Sequence, residues 1–111
     1  MKTSYFSKAS ENPNAVSIAS VTPHWFRGKR EYKKLAPSWL LVEKYKRDGN
    51  ENAYITKYYE EVLDKLDPKE VYDELGDDAI LLCYEKSGCF CHRYIVASWL
   101  QQNLGITIEE L

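Results

Sequence analysis

Ala79-Ile-Leu-Leu-Cys-Tyr-Glu-Lys-Ser-Gly-Cys-Phe-Cys-His-Arg-Tyr-Ile-Val-Ala-Ser-Trp-Leu100 reads as a buried strand, a short loop and an amphipathic helix. Ala79 to Tyr84 is an unbroken apolar run, which suits a strand covered on both faces, as in parallel sheets. The helix begins near Cys91 or His92. Ile95, Val96, Trp99, Leu100 and Leu104 mark its buried side, and Gly105 stops it. All three cysteines, one of the two histidines, Glu85 and Arg93 fall on or beside the loop. Strand-to-helix turns of this kind are where open α/β sheets bind ligands.

Upstream, Thr3 to Ser7 and Ala15 to Val21 read as two further strands, the second ended by Thr22-Pro23. His24 to Pro37 is a long polar connection. Ser38 to Arg47 is expected to be a helix with Trp39, Leu40, Val42 and Tyr45 inward. Glu51 to Leu66 carries an apolar stripe of Tyr54, Ile55, Tyr58, Tyr59, Val62, Leu63 and Leu66 at three-to-four spacing. A shorter helix follows, with Asp67 as cap, Pro68 at its first position, Glu70 completing a capping-box-like pattern, and Val71 and Leu75 buried. Ile106 to Ile108 is expected to add an edge strand. Joining Ala15–Val21 to Ala79–Tyr84 through helices implies a parallel pair with a right-handed crossover. The fold expected is a single α/β domain over 1–111, Rossmann-like, with a mainly parallel sheet of three to four strands flanked by helices.

The 111 residues suit one domain, and a formal net charge of −2 supplies no global basic field for nucleic acid or an acidic membrane. Arg27, Lys29, Arg30, Lys33 and Lys34 form a local basic run that reads first as a solvated face. No stretch approaches the roughly 20 apolar residues of a membrane helix, and the first residues lack the apolar core of a signal peptide. Three cysteines do not suit a secreted disulfide framework, so a cytoplasmic protein with free thiols is expected.

At the last strand-to-helix turn, free backbone N–H groups and the helix dipole attract anions. Arg93 adds a potential bidentate grip on phosphate or carboxylate. The same field would lower the pKa of a thiol at Cys91. Glu85 and His92 are the acid/base candidates, and Cys83 reads as core. Tyr5, Ser7 and Tyr84, with Thr22, His24 and Trp25 after the second strand, are candidate ligand contacts on the same sheet edge. Cys89-x-Cys91-His92 with Cys83 nearby offers zinc-type ligands, without a paired Cys-x-x-Cys pattern. A redox pair of Cys89 and Cys91 is geometrically tight. No cofactor and no metal are expected. There is no Gly-rich phosphate loop and no Gly-x-Ser-x-Gly elbow.

Leu82-Cys-Tyr-Glu-Lys-x-x-x-Phe-Cys-His-Arg-Tyr-x-Val-Ala-x-Trp-Leu100 resembles the signature of the Domain of Unknown Function 488 family. That family shows a hydrophobic strand ending in Leu-x-Cys-x-Glu, then Cys-His-Arg opening a helix. The matching positions are Cys83, Glu85, Cys91, His92 and Arg93. Many members carry Asp-Val-Arg on the second strand, where this chain has Ser17-Ile-Ala-Ser-Val-Thr-Pro23. The resemblance implies a compact variant of the kind found in bacteria and their viruses. It supports the fold and the site more than any reaction.

The function expected is binding of a small anionic ligand, a nucleotide or nucleotide-derived metabolite, at the turn spanning 83–93. Three alternatives stand beside it. One is a nucleoside- or nucleotide-processing enzyme using Glu85 with His92 or Cys91. Another is a cysteine-based redox or metal-binding protein. The third is a protein-interaction module contacting an acidic partner through Arg27 to Lys34. Self-association is left open.

Overall fold

Ile80–Cys83 (β3) lies at the centre of the molecule and all four of its residues are buried. It pairs in parallel with Lys2–Tyr5 (β1) on one side and Ala15–Ser17 (β2) on the other. Glu109–Glu110 (β4) adds to the free side of β1, giving a parallel sheet in the order β2-β3-β1-β4. The computed structural model describes residues 1–26 and 30–111. The expected parallel α/β domain is therefore the architecture observed, with β2 and β3 adjacent and co-directional.

Alternation along β3 divides the core. Leu81 and its neighbour Val16 face Leu63, Val71, Leu75, Val96 and Leu100. Ile80 and Leu82 face the other way, onto Phe6, Ala9 and Phe26. The first face is covered by Trp39–Asp48 (α2), Glu51–Glu61 (α3), Pro68–Leu75 (α4) and His92–Leu104 (α5). The second carries the short Phe6–Ala9 helix (α1).

Local chemistry explains the boundaries. Ser38, Asn50 and Asp67 each accept a backbone N–H from the first turn of the helix they precede. Gly105 takes a left-handed φ of 67° and returns its N–H to Gln101 O, ending α5 where expected.

Several expectations shift. The first strand stops at Tyr5, and Ser7 becomes an exposed residue of α1. The β2 ladder ends at Ser17, whose Oγ bonds Thr22 Oγ1 at 2.7 Å and competes with continued extension. Arg30 to Tyr32 takes up β2's outer edge, through Ser17 N–H to Arg30 O and Tyr32 N–H to Ser17 O. The long helix breaks at Val62 into a 3-10 turn, Leu63–Lys65, which lets the consecutive residues Val62 and Leu63 both enter the core. The last strand lies at 109–110 rather than 106–108, because buried Ile108 spends its N–H on the Gln101 side chain. In α2 only Leu41 is buried, while Trp39 and Leu40 are exposed.

Candidate functional site

The carboxyl ends of β2 and β3 open into a cleft of about 800 Å³. Ala19, Ser20 and Val21, which continue the chain beyond β2, form one wall. Trp39, Val42, Tyr45 and Lys46 of α2, all on one helical face, form the other. Phe90 packs against Tyr45 at a ring separation of 4.9 Å and edge-on to Tyr54 at 5.2 Å, closing the back of the cleft with aromatic surface. Glu85 and Cys89 lie exposed at its rim.

Cys83, Cys91 and His92 also line the cleft, and all three are buried. Cys83 ends β3 and Cys91 precedes α5, and a disulfide joins them. The ring of His92 lies 2.7 Å from Ile18 O through Nε2. A carbonyl only accepts, so Nε2 carries the proton and Nδ1 is left with a free lone pair. Nδ1 lies 3.9 Å from Cys91 Sγ. Burial, with a smaller contribution from the Arg93 charge, lowers the His92 pKa to about 4, so the ring is neutral at physiological pH. The donor atoms of Cys83, Cys91 and His92 fall within 4.8 Å of one another, close enough for a metal ion if both sulfurs were thiolates.

Arg93 points elsewhere. It is fully buried and does not line the cleft. Its Nη2 and Nε donate to the Glu110 carboxylate at 2.8 and 3.2 Å, and its Nη2 also donates to Tyr94 Oη at 3.0 Å. Its Nη1 lies 3.2 Å from Cys83 Sγ. Glu110 further accepts from Thr3 Oγ1 at 2.6 Å, Ser87 Oγ at 2.5 Å and Tyr94 Oη at 3.0 Å. Desolvation alone would raise its pKa. The hydrogen bonds from Arg93, Ser87, Thr3 and Tyr94 outweigh that and hold it at about 2.

These placements correct several expectations. Arg93 is the buried partner of Glu110, not a side chain open to an anion in the cleft. The bonded sulfurs are Cys83 and Cys91, while Cys89 is free and exposed, so the three cysteines are not all free thiols and Cys89 is not in the pair. Thr22, His24 and Trp25 do not line the cleft. Trp25 packs edge-on to Phe6 on the opposite face of the sheet, at 6.3 Å. Tyr5 lies near the Arg93 guanidinium, at 6.0 Å. Tyr84, Glu85, Cys91 and His92 do meet at the cleft, and Tyr84 Oη donates to Val21 O at 2.5 Å.

Arg27, Gly28 and Lys29 lie outside the described residues. The described part of the basic run is engaged within the chain. Arg30 bonds Leu75 O at 2.8 Å, Lys33 bonds Ser20 O at 2.9 Å, and Lys34 pairs with Glu74 at 3.1 Å.

The α2 wall was legible only as an apolar helix face, and that pattern serves core and cleft alike. Glu110 carried no signal at all, beyond the need of a buried arginine for a carboxylate.

Fold and site together define a small parallel α/β domain with an open cleft at its strand ends and a cysteine pair in the cleft. The chain belongs to the DUF488-N3a family, described as the active DUF488-N3 subclade, whose model matches residues 5–104. No curated protein and no solved structure matches it. Among the described residues no helix is long and apolar enough to cross a membrane.

Proposed function

We propose that the cleft binds a small anionic molecule carrying a planar ring, a nucleotide or nucleotide-derived metabolite, in a cytoplasmic protein of bacterial or phage origin. One observation carries the reading: an aromatic wall faces a helix N-terminus that has no side-chain cap. The helices α2, α3 and α4 are each capped by a side chain, whereas Cys91 makes no capping bond and the first turn of α5 holds no acid. Such a terminus favours negative charge, and Lys46 adds a cation on the facing wall, where it is paired loosely with Glu43 of the same cleft at 3.9 Å. Arg93 has no part in this grip. A ring would lie against Tyr45 and Phe90, with its anionic group toward the free backbone N–H groups at the start of α5.

A second reading adds turnover. Glu85, Cys91 and neutral His92 line the same cleft. In that reading Glu85 is the carboxylate acting on a nucleoside or nucleotide bond.

The test is a thermal-shift screen of nucleoside mono-, di- and triphosphates, dinucleotides and cyclic nucleotides against inorganic phosphate. A ligand at about 100 times its Kd stabilises by roughly 2.7 kcal/mol, a shift of several degrees in a domain of this size. Tyr45→Ala and Lys46→Glu are each expected to weaken binding about tenfold, or roughly 1.4 kcal/mol. A screen in which no nucleotide exceeds phosphate overturns the reading. Turnover of a hit that stops on Glu85→Gln would establish the second.

A further inference from the structure

The Cys83–Cys91 pair stands in surroundings that a cross-link alone does not require. An arginine N–H lies 3.2 Å from Cys83 Sγ. Cys91 occupies the N-cap of a 13-residue helix without using its side chain as a cap. The unprotonated Nδ1 of His92 lies 3.9 Å from Cys91 Sγ, because Nε2 is committed to Ile18 O. The arginine N–H and the uncapped helix start each favour a thiolate. Both cysteines border the cleft, so a small thiol has a way in, and Cys91 is the more open of the two at 6% exposure against 2%.

We infer that Cys83 and Cys91 are a redox-active dithiol/disulfide pair that exchanges with a dithiol or with two small thiols entering the cleft. The incoming thiolate attacks Cys91 Sγ. A mixed disulfide forms as the Cys83–Cys91 bond breaks, and the electron pair leaves on Cys83 Sγ beside the Arg93 guanidinium. A second thiolate of the donor then attacks the donor's own sulfur in the mixed disulfide and releases Cys91 as a thiolate. The protons that Cys83 and Cys91 take up come from the donor thiols through water in the cleft, because neutral His92 is too weak a base to hold them. The donor is oxidised by two electrons to its disulfide, the pair is reduced to two thiols, and the donor's two protons end on the pair. The reverse course oxidises a dithiol substrate. A divalent cation held by the reduced Cys83, Cys91 and His92 is the competing use of the same atoms, and the fixed positive charge of Arg93 against Cys83 works against it.

This inference is independent of the nucleotide reading, since it needs no ring or phosphate in the cleft. The test uses the full chain with Cys89→Ser, so that only the pair is counted. The folded protein is equilibrated in reduced and oxidised dithiothreitol at fixed ratios, quenched with a maleimide and weighed by mass spectrometry, with circular dichroism followed in parallel. Expected is a reversible two-electron transition at unchanged secondary structure. The reduced protein should also show alkylation by iodoacetamide that titrates clearly below the ordinary thiol value of about 8.5. A pair that opens only when denaturant unfolds the chain overturns the inference in favour of a structural cross-link. Reduced protein that takes up one equivalent of zinc and can no longer be reoxidised overturns it in favour of a metal site.

Discussion

His92 and Arg93 are neighbours in sequence, both buried in the first turn of α5, and they do opposite things. His92 faces the cleft as a neutral ring with one bond to Ile18 O and an open nitrogen. Arg93, about 100° further round the helix, faces the β1–β4 edge as a permanent cation bonded to Glu110, Tyr94 and Cys83. One side keeps chemical capacity in reserve, while the other spends nearly all of it on structure. A short run such as Cys-His-Arg is therefore not one functional unit. Residues adjacent in sequence belong to different surfaces once they sit on a helix.

The difference is open to direct attack. The largest effect is expected from Arg93→Met, which leaves the largely buried Glu110 carboxylate without its cation. Loss of one partner of a fully buried pair costs about 3–5 kcal/mol; Glu110 is part-exposed and keeps Thr3, Ser87 and Tyr94 as donors, so the fall in the urea midpoint should correspond to the lower end of that range. Adding Glu110→Gln should recover a substantial part of it, because the uncompensated charge is gone. A single variant as stable as the wild type would dissolve the contrast.

Acid should separate the two residues next. Because the folded His92 pKa of about 4 lies below its ordinary 6.5, the unfolded chain binds the proton first. Stability is then complete above pH 6.5 and falls as pH drops to about 4, by at most about 3 kcal/mol. Glu110, held at about 2 against 4.5, contributes stability above its ordinary value that is lost on further acidification through 2. Urea midpoints taken from pH 7 to pH 3 should decline in both windows, and His92→Gln should flatten only the upper one. An unaltered decline in that variant would assign the upper window to another group.

The smallest effect belongs to Cys89→Ser. Cys89 is exposed, so its stability should stay within about 0.5 kcal/mol of wild type, measured by the same unfolding curve.

The sequence made the scaffold legible where one pattern had one meaning. The apolar run of β3, the Asp67-Pro68 start of α4 and the Gly105 stop of α5 each encode a local backbone requirement, and each is met. The turn bearing Cys83 to Arg93 was likewise visible as the strand-end site. What could not be read was direction. The apolar face of α2 looks like core by spacing, yet it becomes the cleft wall, because α2 packs on α3 and leaves that side open. Arg93 beside a helix start reads as an anion grip until Glu110, sixteen positions beyond Tyr94, closes on it. The pairing of Cys83 with Cys91 depends on the path of the intervening loop, which is fixed by Gly88 N–H to Tyr94 Oη and Ser87 Oγ to Glu110.

The strand order has a consequence for how the domain comes into being. Among the described residues, β1 pairs with β3 and β4, and β2 has β3 as its named strand partner. Until residue 80 exists, the first two strands have no sheet to join, however well formed the intervening helices are. A nascent chain carrying α2, α3 and α4 exposes the apolar helix faces that the sheet later covers. Assembly must wait for Ile80–Cys83 to slide between two segments made much earlier, and every ladder it forms spans more than sixty residues of chain. Closure of such long loops is slow, so this small domain is expected to fold late and in a single step around one strand.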